Sequence, residues 1–141
     1  MARRKAGKLP LTKRQFQLAK CEVMTFVATR QAKEALRFYQ ESLGLRFIAD
    51  EPYALVFDLN GTMLRIQKVQ ELKPAPYTTL GWSVAEIRDA VKTLAARGVV
   101  FERYPGMQQD ELGIWTSPNR ARVAWFHDPD GNTLSLTEFV E

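Results

Sequence analysis

The sequence predicts an α+β fold in which two βαβββ modules, about residues 21–70 and 78–138, pair into a curved mixed sheet around a cleft, with helices on the outer face. Two observations carry this expectation. A β-rich run followed by a helical apolar period occurs twice in the same order. The segments DLNGTMLRIQ from Asp58 and DPDGNTLSLT from Asp128 also share Asp, Gly and Leu in register, 70 residues apart.

In chain order, CEVMTFVAT from Cys21 reads as a strand. RQAKEALRFYQESLG follows, with Ala32, Ala35, Leu36, Tyr39 and Leu43 at helical spacing, and Gly44 ends that helix. TLGWSV opens the second copy, AEIRDAVKTLAARG sets Ile87, Ala90, Val91, Leu94 and Ala95 on one face, and Gly98 closes it. The exits GLRF and GVVF match. Asn60-Gly61 and Asp130-Gly131 supply turn chemistry for tight hairpins between antiparallel strands. DPDGN is a hairpin turn rather than a calcium loop, because its glycine stands fourth from the first Asp and not sixth. ELKPAPY, residues 71–77, has two prolines and reads as the linker between modules.

With 141 residues the chain is long enough to bury a sizeable core, and 45% hydrophobic with 26% charged residues is ordinary for a folded protein. No apolar run approaches a membrane span, and the charge-interrupted N-terminus lacks the pattern of a secretory signal, so a cytoplasmic protein without a membrane role is expected. Residues 1–20 form a basic arm with seven Lys and Arg and no acid, which leaves the rest of the chain at −3 of the net +4. The mildly acidic body, residues 21–141, has no interleaved basic and aromatic stripe, which argues against nucleic acid as a partner. Cys21, the lone cysteine, excludes an internal disulfide and is expected as a small buried residue at a strand entrance.

The motifs FYQESLGLRF from Phe38, GWSVAEIRDAVKTLAARGV from Gly81 and above all AWFHDPDGNTLSL from Ala124 resemble the vicinal oxygen chelate superfamily. Its members include glyoxalases, extradiol dioxygenases, and fosfomycin and bleomycin resistance proteins. The resemblance implies one metal ligand, usually His, Gln or Glu, from each of four strands, at positions that here hold Met24, Arg65, Thr79 and Ser135. Met is soft, Arg is permanently cationic, and the hydroxyls are weak donors, so no metal and no other cofactor is expected. The resemblance, with the exposed edges of two small sheets, also implies a homodimer.

Strand alternation sets Met24, Phe26, Arg65, Gln67, Thr79 and Ser135 toward the cleft, with Val23, Thr25 and Val27 toward the first helix. Arg65 has two readings: it forks onto a ligand anion, or it pairs with an internal acid such as Glu22 or Glu138. In the long polar segment from Arg103, Tyr104, Gln108, Asp110 and Trp115 are candidate contacts at the cleft edge. No catalytic residue stands out. Asp110 and Glu111 lack a recognisable partner for general-base work, and His127 reads as a turn residue. The expected function is a metal-independent protein that sequesters or carries a small amphipathic or aromatic compound, an anionic one if Arg65 forks onto it. A metal-independent lyase or isomerase, and a regulatory module that uses the basic arm, are the alternatives.

Overall fold

The computed structural model describes residues 15–140; residues 1–14 of the expected arm, and Glu141, lie outside the described residues. Leu18–Lys20 form a short 3-10 turn. The first module runs β1 (Met24–Thr29), α1 (Ala32–Arg37), β2 (Arg46–Asp50), β3 (Ala54–Leu59) and β4 (Thr62–Lys68). The second runs β5 (Thr78–Ser83), α2 (Ile87–Ala96), β6 (Trp115–Thr116), β7 (Arg122–His127) and β8 (Thr133–Glu138). Each module makes a four-stranded mixed sheet, ordered β1-β4-β3-β2 and β5-β8-β7-β6. In each, the first and last strands pair in parallel and the rest are antiparallel.

Strand β1 begins only at Met24, so Cys21 and Val23 lie in its approach. Cys21 is exposed rather than buried, and Val23, expected to face the first helix, is 72% exposed. α1 is shorter than its apolar period suggests, because Phe38–Ser42 widen into a π-turn in which the Leu43 amide donates to the Phe38 carbonyl at 2.9 Å. Gly44 and Gly98 follow the helical segments with φ of 74° and 96°, a left-handed conformation that glycine adopts without a Cβ penalty.

The two hairpins differ. Asn60 (φ 53°) and Gly61 (φ 101°) make the expected two-residue turn between Leu59 and Thr62. The second connection is wider: His127 pairs with Thr133, leaving the five residues Asp128–Asn132 as a loop, with positive φ at Gly131 and not at Asp130. The second module also lacks an unbroken counterpart of β2. Phe101 forms an isolated bridge to Phe126, the Glu102 amide donates to the Trp125 carbonyl at 2.8 Å, the chain then leaves β7, and it rejoins that strand at Trp115–Thr116.

The helix-facing side chains of both sheets form one core. Val27, Leu55, Phe57, Leu64 and Ile66 from the first module join Ile87, Val91, Ala124, Phe126, Leu134 and Leu136 from the second. Phe38 of the first module packs on Phe126 of the second with ring centroids 6.4 Å apart. Strands β1 and β5 meet at the seam.

The DPDGN loop fastens that seam. The buried Asp128 carboxylate accepts from the Asp130 and Asn132 amides at 2.9 Å, from the Asn132 side chain at 2.8 Å and from the Tyr39 hydroxyl at 2.7 Å. Asn132 donates to the Ala28 carbonyl at 2.8 Å, and Asp130 accepts from the Thr29 hydroxyl and the Arg30 amide. A motif legible in the sequence as a turn thus carries the polar joint between modules. Burial, and then the Asp128 charge, hold the Tyr39 phenol well above its ordinary pKa of about 10. As pH rises, the unfolded chain loses this proton first, so the contribution is complete below pH about 10 and falls above it. Tyr39→Phe is expected to flatten the alkaline loss of stability, measured as urea midpoints on both sides of that pH; an unchanged slope would refute the assignment.

Candidate functional site

Because one core takes the helix-covered faces of both sheets, their other faces lie on the same side of the seam. On the first sheet that face carries Met24, Phe26, Val56, Arg65 and Gln67, set side by side by the pairings Phe26↔Arg65, Ala28↔Gln67 and Val56↔Arg65. Met24 and Phe26 are 48% and 44% exposed, a substantial apolar surface for two neighbours on one strand. On the second sheet the face carries Gly81, Ser135 and Trp125 in one register, with Val123 and Trp115 beside them.

Three of the four positions to which the family pattern assigns metal ligands follow the expected alternation, and Thr79 needs a correction. It is the extra residue of a bulge between Thr78 and Leu80, and its hydroxyl donates to the Thr133 carbonyl at 3.3 Å. Ser135 is buried; a Cβ on Gly81 would stand 2.9 Å from its Oγ, so the bare glycine makes room for the serine in the sheet. Arg65 Nη2 donates to Glu51 Oε1 at 2.9 Å. Of the acids expected to answer Arg65, Glu138 instead accepts from the Ile87 amide at 2.9 Å at the start of α2, and Glu22 is exposed. Glu51 follows β2 and was invisible to sequence reasoning because a turn, not alternation, brings it to Arg65. No group of three His, Cys, Asp or Glu that could hold a metal occurs among the described residues, and a thioether, a guanidinium and two hydroxyls do not fit a hard or borderline divalent ion.

The candidate segment from Arg103 is tied down rather than free. Gln109 accepts from the Tyr104 amide at 2.8 Å and donates to the carbonyls of Glu102 and Gly113 at 2.9 and 2.8 Å. Asp110 Oδ1 accepts from the Leu112 and Ile114 amides, each at 2.9 Å, and its Oδ2 takes Arg88 Nη1 at 3.1 Å. Arg88 Nη2 reaches Glu111 at 2.8 Å and holds that carboxyl below its ordinary range. Asp110 therefore shapes the loop from below instead of lining the face, and Gln108 is exposed.

This anchoring presents an aromatic cluster. Tyr104 meets Trp125 edge-on at 5.7 Å and 82°, and Trp115 lies 6.0 Å from Trp125 at 40°. Burial, then the Glu102 charge, raise the Tyr104 phenol, which stays a neutral donor at neutral pH. Trp125 was missed, although alternation from Phe126 in the core sets it on the opposite face. His127 Nδ1 lies 3.4 Å from Glu102 at the end of the same strand.

A profile of the Glyoxalase/Bleomycin resistance protein/Dioxygenase superfamily matches residues 21–136. The chain belongs to this superfamily. Its members among solved structures include a protein from Sphaerobacter thermophilus, 27% identical with a TM-score of 0.67 over 86% of this chain and 100% of that one. A glyoxalase/bleomycin resistance protein/dioxygenase from Alicyclobacillus acidocaldarius is 17% identical, with a TM-score of 0.65 over 89% and 96%. A fosfomycin resistance protein from Listeria monocytogenes, 13% identical, has a TM-score of 0.65 over 86% and 94%. No curated protein matches the chain. Superfamily membership fixes the paired-module fold and leaves chemistry to the side chains. No described helix is long and apolar enough to cross a membrane.

Proposed function

We propose that the protein binds a small aromatic or amphipathic anionic compound on the concave face, without a metal, and carries or sequesters it rather than transforming it. Two observations support this reading: the open face of the second sheet carries an aromatic cluster, Trp125 with Tyr104 and Trp115, and the open face of the first carries a partly exposed cation, Arg65, beside Phe26. Aromatic faces supply area for a flat ligand, and a guanidinium forks onto a carboxylate, sulfonate or phosphate. Glu51 engages one N–H of Arg65 from a half-exposed position, so a ligand anion competes for the rest.

The lyase or isomerase alternative needs a base, and Asp110, the loop carboxylate closest to that role, is already committed to two amides and Arg88. Titration with an anilinonaphthalene sulfonate tests the proposal: saturable fluorescence that shifts amide resonances of Trp125 and Phe26 supports it, and shifts elsewhere refute it. Elemental analysis after dialysis is expected to find no stoichiometric divalent metal; one equivalent lost on Met24→Ala would restore metal chemistry as the leading function.

A two-fold dimer, in a cytoplasmic protein, belongs to the same reading. Its support is the exposed apolar surface at Val23, Met24, Phe26 and Met63. Light scattering at micromolar concentration is expected to give twice the chain mass, and a monomer would require the concave face to be complete within one chain.

A further inference from the structure

The pseudo-symmetry of the modules exposes a second site on the helix side. Aligning the helix-ending glycines, Gly44 with Gly98, sets Ser83 opposite Thr29 and Thr93 opposite Tyr39. In the first module this dock is filled: Tyr39 contributes a ring and a hydroxyl, and the Asp128–Asn132 loop closes over Thr29. In the second module the counterpart of the ring is Thr93, and the counterpart of the loop is the two-residue Asn60-Gly61 turn. Asp58, the counterpart of Asp128 in the repeat, accepts only from the Gly61 amide of its own turn and faces Arg46 at 3.7 Å among the described contacts.

Space remains where the second clamp would stand. A pocket of about 380 Å³ is walled by Leu43, Leu45, Trp82, Val84, Ala90 and Leu94. A wider space of about 810 Å³, sharing Leu45, Trp82 and Ser83 with it, opens toward the first hairpin. Interiors are otherwise packed to crystal density, and the smaller volume falls in the range of small-ligand sites. Its floor is aromatic, with Trp82 stacked on Phe126 at 17°. The polar residues of its wall are Ser83, Thr93 and Asp89; the Asp89 carboxylate makes no salt bridge within 4.0 Å among the described residues and feels the charge of its neighbour Arg88.

We propose that the pocket between α2 and the end of α1 binds a small aromatic amine, its ring taking the volume that Tyr39 fills in the first module and its ammonium meeting Asp89. The site lies on the opposite side of the sheets from the concave face and does not depend on the function proposed for that face. Its test is a titration of the full, methyl-labelled chain with phenethylamine and with phenylethanol, which keeps the ring and drops the charge.

Both compounds are expected to shift the Trp82 indole N–H and the Leu43 and Leu94 methyls saturably. Thr93→Phe, at an exposed position of α2 that lines the pocket, is expected to abolish the shifts by plugging it. Asp89→Asn is expected to weaken the amine about threefold to tenfold and leave phenylethanol unchanged, as suits an exposed charge contact. Shifts confined to Trp125, Met24 and their neighbours would overturn the site while supporting the concave face. An equal effect of Asp89→Asn on both compounds would overturn the amine. Cross-relaxation in the free protein from Leu94 methyls to residues 1–14, or to a second copy in a mixed-label sample, would overturn the small-molecule occupant.

Discussion

Asp128→Ala is expected to destabilise the protein by about 3–5 kcal/mol, at the upper end for a single substitution. The carboxylate takes four hydrogen bonds, and its loss strands the Tyr39 hydroxyl and the Asn132 amide in positions closed to water. It also releases the loop that holds Thr29 and Arg30, so the modules lose their polar joint as well as its energy. The comparison that makes this specific is Asp58→Ala, the same letter in the repeat. Asp58 is partly exposed and serves its own turn, so its removal should cost less than about 1 kcal/mol. Urea denaturation of both variants checks the contrast, and equal losses would mean that the seam is held by the apolar core alone.

That asymmetry also marks where sequence reasoning stops. The two-module architecture was legible because it rests on local signals: helical periods, terminal glycines and turns, each repeated. The two sides of β1 and β4 followed from alternation alone: Val27, Leu64 and Ile66 are buried in the core, and Phe26, Arg65 and Gln67 alternate with them. Thr79 departed because a bulge inserts a residue into the count, and alternation has no means of seeing a bulge in advance. The broken counterpart of β2 was hidden because GVVF carries the composition of a strand, whereas in the fold Phe101 bridges Phe126 and the rest of the β7 edge is taken by Trp115 and Thr116. Contacts between modules were out of reach in principle. Nothing near Asp128 in the chain announces Tyr39, 89 positions away, and nothing near Arg65 announces Glu51 across a turn.

Arg65→Met is expected to weaken binding of the anilinonaphthalene sulfonate about tenfold to hundredfold while changing stability by less than about 1 kcal/mol. The two halves of that expectation come from the same geometry. The partner, Glu51, is half exposed, so the ion pair is screened by water and its loss is small; the freed carboxylate simply hydrates. A ligand anion held beside Phe26 would be less hydrated, and a forked guanidinium contact there is worth more than the surface pair it displaces. Methionine keeps the length and apolar stem of the side chain, so the change isolates charge from packing. Glu51→Gln provides the opposite sign: with the competing carboxylate neutralised, the sulfonate should bind more tightly, and a screened contact should respond to salt. Unchanged affinity in Arg65→Met with a clearly lowered melting temperature would show that the pair is structural, and would leave the aromatic cluster alone to account for any binding on this face.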